Sequence, residues 1–443
     1  MLAVVLICAL VLWVIKSIYR RNDSGLKDIP NAHFSVPYSR LWLLLIKWNK
    51  LENRTRIRLH RRLGPVVRIG PREVGVNCID DGVRTIFGAK FDKDPSFYHA
   101  LIDQTVFMVS IIGNEEHKKR RRMLSHYYSN TSIINSANLD GVSLASSSSS
   151  VDVFRQCKCC MLDMATDFLF GIENATDTLR DATFLDDLTR LLEPSRKNLH
   201  PDMPTREKWE GWLTGLVLNS YRTHATKPPW THSLFDHFFD NFKAADPDMG
   251  FNEMASYMAA ECDDHISATH IGLGTLLSYT MYELSRKPDW QRALRRELRT
   301  VASEEEEEEQ QRTKLIHRLA KLPVLDAVLT ETMRTHAPCP GPFPRVVPPS
   351  GCRLAGEYDV PGGTIVSSSA WALHFNPIPF PSPDEWRPGR WLEADFEQVA
   401  EMRNGTMILY TIYADYETYL DEEFTENVDQ DDDFTATPSS FGV

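Results

Sequence analysis

From Met254 to Arg286 the sequence reads as the longest helical stretch of the chain, apolar on most of its circumference. A helix of that kind cannot lie on a surface and must run through a core with other elements packed around it. Several segments can supply those elements. Leu41 to Arg62 has helical periodicity with basic residues set between apolar ones. Glu115 to Tyr128 reads as a strongly basic helix, and Val151 to Gly171 as an apolar-periodic one. Lys321 to His336 reads as a helix stopped by Pro338 and Pro340. Val66-Val67-Arg68-Ile69 and Val74-Gly75-Val76 flank Gly70-Pro71 and read as a β-hairpin. Turn residues and β-formers return from Arg345 to Ser369. The chain lacks the regular strand–helix alternation of a doubly wound sheet, so the expected fold is mainly α with a small β-sheet region.

The ends carry separate signals. Leu2 to Ile15 is an unbroken apolar run followed by Lys16, Arg20 and Arg21. A spanning helix typically needs about 17–25 residues, and Ser17, Ile18 and Tyr19 bring the run to the lower limit. Positive charge after the apolar run rather than before it favours an anchor over a cleaved signal peptide, with a buried helix as a third reading. The same charge order places the remainder on the cytosolic side. We therefore expect a single-pass anchor over residues 1–21, a polar, proline-punctuated linker over 22–40, one domain over 41–420 and an acidic tail over 421–443. Forty-nine basic against 61 acidic residues give 49 − 61 = −12, which argues against a general nucleic-acid binder. Much of that excess lies in Glu304–Glu309 and Asp421–Asp433, which read as solvated segments. Eight scattered cysteines fit a reducing compartment. The sequons at Asn53, Asn130, Asn174 and Asn404 are expected to be unused on a cytosolic body. Ser146 to Ser150 is low in complexity and reads as a loop insertion.

Three constellations carry possible chemistry. Glu331 and Arg334 stand three apart on one helical face and can pair, though in isolation a surface ion pair is the plainer reading. Pro383-Asp384-Glu385-Trp386-Arg387-Pro388-Gly389-Arg390-Trp391-Leu392 reads as a rigid loop with an exposed-looking tryptophan pair. His117 and Arg121 share a face of the basic helix, where both can donate to a carboxylate; a solvated basic helix is the alternative. Glu261, Cys262, Asp263, Asp264 and His265 are consecutive, so a helix spreads them around its circumference. Only Glu261 and His265 share a face there, which argues against a zinc site. Cys157, Cys159 and Cys160 sit in an apolar helix and read as buried structural cysteines.

Taken together, Glu331-x-x-Arg334, a strand-rich stretch and Pro383-x-x-Trp386-x-Pro388-x-Arg390-Trp391 resemble the cytochrome P-450 family, and within it the fungal microsomal members. Gly64 to Pro71, Glu116 to Ser125, Pro361 to Val366 and Ala370 to Pro377 resemble further segments of that family in the same order. The resemblance implies a cytochrome P-450-type fold in which Glu331, Arg334 and Arg390 form a buried ion-paired triad. It implies that His117 and Arg121 bind a haem propionate and that Thr269 is the surviving candidate for the oxygen-side threonine of the long helix. It further implies a haem monooxygenase of the endoplasmic reticulum membrane with a cytosolic body. Such an enzyme inserts one oxygen atom into a small apolar substrate. Electrons come from NADPH through a membrane-bound reductase docking on the basic proximal side. Phe97 to Ile112 and Pro340 to Val347 are the implied pocket-lining stretches.

The sequence departs from the family at its most specific motif. Phe-x-x-Gly-x-Arg-x-Cys-x-Gly should follow the Arg390 loop, and its cysteine thiolate should hold the haem iron. The last cysteine here is Cys352. Asn404-Gly405-Thr406-Met407 resembles the approach to the motif, and Ile408 to Tyr413 the far side of the next helix. Tyr416-Glu417-Thr418 resembles the closing strand. The fold is thus expected to be truncated at the haem-cysteine loop and the helix after it, with no metal ligand and no activity as written. A missed exon or a genuine deletion would each produce this in-frame gap. The alternatives are a non-catalytic, membrane-anchored relative acting through protein contacts, or ligation by another residue such as histidine; no histidine follows His374. The long helix is also shortened at its family motif, between Asp264-His265-Ile266-Ser267-Ala268 and Ile271-Gly272-Leu273-Gly274.

Overall fold

The long stretch forms the axis of the structure, but it is not one uninterrupted α-helix. In the computed structural model it runs as an α-helix over Phe251–Ser267, a π-helical segment over Ala268–Leu273 and a second α-helix over Gly274–Arg286. The structure describes residues 25–88, 91–99, 108–125, 152–180, 206–224, 226, 233–302, 318–377 and 380–392. The Leu2–Ile15 run, Ser146–Ser150, both acidic segments and the chain beyond Leu392 lie outside them, so the expectations placed there meet no structural description.

The two halves of the axis differ in burial. Gly274–Arg286 is buried on all sides, with Leu276, Leu277, Tyr279, Met281 and Leu284 inside. Two of its hydroxyls are satisfied within the helix: Ser278 Oγ donates to Gly274 O at 2.7 Å and Thr280 Oγ1 to Leu276 O at 2.8 Å. Phe251–Ser267 buries one stripe only, Met254, Ala255, Met258, Glu261, Cys262 and Ile266. The apolar character read over the whole stretch therefore belongs mainly to its second half. At the junction the helix Val153–Phe170 crosses closely. A Cβ on Gly274 would stand 3.3 Å from Lys158 Cγ and 3.4 Å from Lys158 Cα, so glycine permits the approach.

Two apolar clusters sit on either side of that crossing. One joins Gly274–Arg286 to the helices Val153–Phe170, Pro288–Ala302 and Pro323–Thr335 through residues such as Met161, Leu298 and Val328. The other joins Phe251–Ser267 to Arg206–His224 and Leu234–Ala245 through Leu162, Leu213, Phe238 and Met258. Helix starts follow local chemistry. Asp152 Oδ1 accepts from Arg155 N at 2.9 Å, Ser233 and Asp236 form a reciprocal capping box, and Pro323 occupies the first turn of its helix.

The sheet has five strands: β1 (Val66–Gly70), β2 (Glu73–Val76), β3 (Asp92–Lys93), β4 (Pro342–Val346) and β7 (Ile365–Ser369), in the order β1-β2-β7-β4-β3. The predicted hairpin is β1–β2, pairing Val66 with Val76 in antiparallel register. β2 and β7 run parallel, joining the first strands to the last. β5 (Cys352–Leu354) and β6 (Tyr358–Val360) make a separate hairpin. The predicted helix over Leu41–Arg62 is two helices, Leu41–Trp48 and Glu52–Leu63, parted at Lys50, whose φ is 53°. Gly64, at φ 101°, turns the second of these into β1, a conformation that costs glycine nothing. The segment read as a linker is packed: Leu26, Ile29 and Val36 are buried, and Arg68 N donates to Pro30 O at 2.8 Å. Its apolar residues pack inward, while Lys27, Asp28 and Asn31 stay exposed.

Candidate functional site

A dense hydrogen-bond network centres on Glu331, on the helix Pro323–Thr335. Its carboxylate is fully buried. Arg334 Nε donates to Oε2 at 2.9 Å and Arg334 Nη2 to Oε1 at 2.8 Å, a bidentate pair set by the i, i+3 spacing. Arg390 Nε donates to Oε1 at 3.0 Å. The Arg387 backbone N–H reaches the same oxygen at 2.7 Å, and the Trp391 indole reaches Oε2 at 2.6 Å. Arg334 extends the network outward: Nη1 donates to His374 O and Pro383 O, and Nη2 to Glu385 O. Arg390 holds Pro381 O, Ser382 O and Glu385 O.

One carboxylate thus locks the loop 380–392 to its helix. The structure brings Glu331, Arg334 and Arg390 together, and the plainer reading of a surface ion pair is excluded by burial. The tryptophans correct another expectation. Trp386 is buried and donates to Thr332 Oγ1 at 3.1 Å, while Trp391 is a ligand of the network. Their flanking prolines suggested exposure, yet each indole N–H has found a buried acceptor. The Arg387 and Trp391 contacts were not anticipated; the Arg-Trp adjacency is the one sequence signal that could have suggested the indole.

His117 lies half-buried on the basic helix Asn114–Ser125, and the side chain of Arg121 lies outside the described residues. Their shared approach to one carboxylate is therefore not displayed. Their neighbour Arg120 turns inward, which no sequence signal required. It lies 3.5 Å from Glu261 Oε1, with its guanidinium over the rings of Phe242 at 4.5 Å and Tyr257 at 5.5 Å. Glu261 also accepts from Met108 N at 3.3 Å. Burial raises its pKa, opposed by Arg120 and by that N–H. Glu261 is thus committed to Arg120 rather than to His265, and no group able to hold a metal exists among the described residues.

Thr269 is half-buried in the π segment, a kind of insertion often found at functional positions. Nearby polar groups were missed by the apolar reading of the two pocket stretches. Lys93 Nζ donates to Val109 O at 2.6 Å and Met108 O at 3.3 Å, with burial lowering its pKa to about 8. Arg345 on β4 donates to Tyr98 Oη at 2.6 Å. Asp264 is pushed up to about 7, by burial first and then by Glu261 and Asp263. Pocket residues 100–107 lie outside the described set.

The buried histidines give a pH prediction. Burial lowers His60 from 6.5 to about 4 and His270 from 6.5 to about 3. Both are neutral when folded, so the unfolded chain takes up protons first as pH falls. Their contribution is complete above about 6.5 and is lost on the way down to the folded values. Asp264 acts oppositely, losing its contribution as pH rises from 3.8 through about 7. His270 Nδ1 donates to Lys158 O at 3.1 Å, while its Nε2 has no partner. His270→Leu should therefore flatten the acid limb of stability between pH 6.5 and 3, read as urea midpoint against pH. An unchanged slope would contradict the assignment.

A polypeptide that clamps a proline-rich loop to a helix through one buried Glu, beside a π-interrupted central helix, has the architecture of the haem monooxygenases. The chain belongs to the cytochrome P450 family. The family model Cytochrome P450 matches residues 34–403. The chain is 30% identical to Cytochrome P450 monooxygenase avaI of Aspergillus versicolor over 76% of this chain and 84% of that protein. It is 29% identical to Cytochrome P450 monooxygenase hkm5 of Aspergillus hancockii, over 76% and 70%. It is 28% identical to Cytochrome P450 monooxygenase orf2 of Aspergillus niger, over 87% and 81%. These relatives place the chain among the oxidoreductases, in a family whose chemistry is haem-dependent monooxygenation.

The cysteines of the helix cores and of the β5–β6 hairpin do not fit that haem. A thiolate ligand must be deprotonated and open to the iron. Cys157 is pushed up to about 12, and Cys160 and Cys262 are raised further from ionisation, all by burial in helix cores. Cys352 is pushed up to about 11 on the β5–β6 hairpin, and no cysteine follows it. The clamp beside the ligand loop's expected place is complete, and no cysteine follows Cys352 in the sequence.

Proposed function

We propose that this chain derives from a membrane-held monooxygenase of small apolar substrates and is inactive in its present form. The single observation behind this reading is an intact Glu331–Arg334–Arg390 clamp with no cysteine after Cys352. Buried ion networks of this size are costly to desolvate and serve where geometry must be fixed. Here the clamp fixes 380–392, the segment leading toward the place where the family carries its ligand. The active parent would take electrons from NADPH through a membrane-bound reductase that meets the basic helix Asn114–Ser125. Leu2–Ile15 with Lys16, Arg20 and Arg21 would hold the body on the cytosolic face of the endoplasmic reticulum. No described helix is long and apolar enough to cross a membrane, and Leu2–Ile15 lies outside the described residues.

His117, Arg121 and Thr269 keep their resemblance-based roles in that parent: two donors to a haem carboxylate and one hydroxyl beside bound oxygen. In the present chain no step can be routed through them. The alternative, a non-catalytic relative acting through protein contacts, shares every described feature and differs only in whether the gap is genuine. Microsomes holding this chain and a NADPH-dependent reductase should oxidise NADPH no faster than microsomes with the reductase alone. Substrate-dependent oxidation above that background would overturn the inactive reading.

A further inference from the structure

Three acids stand close together on the central helix, and two of them are spoken for. Glu261 lies 3.5 Å from Arg120 and accepts from Met108 N. Asp263 accepts from the Trp209 indole at 2.8 Å and from Ser267 Oγ at 3.3 Å. Asp264 has no hydrogen-bond or ion-pair partner among the described residues. It is half-buried, and burial is the largest cause of its raised pKa, ahead of Glu261 and Asp263. A carboxylate set in such a place without a partner is costly to keep charged. An ionisable group perturbed in this way, in a cleft, marks a binding position.

The neighbours define the cleft. Glu261, Asp264 and Ala268, three and four residues apart, share one helical face. Ala268 is exposed although it lies midway along the central stretch, so this face is open there. A Cβ on Gly272, one turn further on, would stand 3.8 Å from Pro338 Cβ. Cys339 is exposed, yet burial raises its thiol pKa, and the charge of Asp264 raises it further. A group that is both accessible and desolvated faces an enclosed space rather than open water. From β3, Lys93 also feels the charge of Asp264.

The cations around this space are committed. Lys93 Nζ is held by Met108 O and Val109 O. Arg345 Nη1 donates to Tyr98 Oη and Pro344 O. An anion would have to displace those acceptors and would also meet Asp264. The open group is an acceptor, and the small wall residues Ala268, Gly272 and Pro338 are apolar. That combination suits an apolar body carrying one ammonium, whose N–H would make a charge-assisted bond to the carboxylate.

We propose that Asp264 sets the specificity of this cleft by pairing with the ammonium group of a small apolar amine. The proposal rests on the reading of the chain as a monooxygenase relative and narrows its substrate class. The test titrates the full chain in nanodiscs with phenethylamine and with phenethyl alcohol, by calorimetry in phosphate and in Tris, against empty nanodiscs. The amine should bind about tenfold more tightly than the alcohol, the effect of one hydrogen bond to a charged group. Asp264 is pushed up to about 7, so at pH 7 amine binding should expel about half a proton, and binding should tighten as pH rises through that value. The alcohol should expel none. Asp264→Asn should abolish the preference and the proton release while leaving the alcohol's affinity unchanged, which also reports an intact cleft. Asp264→Glu should keep part of the preference. Equal affinities for the two ligands, a preference that survives Asp264→Asn, or binding of neither would each overturn the proposal. Binding is read without haem, electrons or oxidation, so these outcomes are separate from the NADPH test of the inactive reading.

Discussion

Glu331→Ala should be the most damaging single substitution in the described fold. Every neighbour of the carboxylate is a donor: two nitrogens of Arg334, one of Arg390, the Arg387 N–H and the Trp391 indole. Removing it leaves two guanidiniums facing each other in a buried place. Breaking a buried pair from one side costs about 3–5 kcal/mol, a large part of the roughly 5–15 kcal/mol that a domain possesses. The loop 380–392 should detach first, since its backbone is held by arginines that the carboxylate orients. Urea midpoints and the proteolysis rate near Arg387 and Arg390 measure the effect. Glu331→Gln should be nearly as harmful, because its amide would present a donor to donors. Wild-type stability in either variant would show that the network is dispensable.

Restoring a family-like cysteine loop between Met407 and Ile408 should have the largest gain-of-function effect. In the family, the absent segment covers one face of the haem and packs a helix into the core. Without it, the face that this segment would cover has no partner in the chain, and apolar patches left open in that way promote aggregation. The restored chain should become more soluble and take up haem. Haem bound to the folded state alone adds stability by mass action, about 2.7 kcal/mol at a hundredfold excess over its dissociation constant. Solubility and haem per chain, compared with and without the loop, provide the measurement. A chain that is already monomeric and cooperatively folded without the loop would show that the deletion is tolerated, favouring a genuine non-catalytic relative.

Much of the fold was legible because its signals are periodic. The β1–β2 hairpin, the Val153–Phe170 helix and the Glu331 helix lie within a few residues of their predicted bounds. Where the reading went astray, a local break or a distant partner decided the outcome. Leu41–Arg62 splits at Lys50, which adopts positive φ without a glycine to announce it. The long helix is interrupted by a π segment that no composition rule marks, at a crossing set by Lys158 from far along the chain. In the candidate site, Glu331, Arg334 and Arg390 were found because their spacing is part of a specific pattern. Arg387 escaped notice because its contribution is a backbone N–H, which carries no sequence signature. Arg120 escaped because one face of a basic helix looks like any other until Glu261 appears opposite it.

The central claim is that the clamp survives while the thiolate is gone, and reduced, CO-bound protein tests it most directly. Purified protein of this sequence, incubated with haem, reduced and exposed to CO, should give no thiolate-type Soret band, whatever haem adheres to it. A normal thiolate-type band from this same chain would contradict the account.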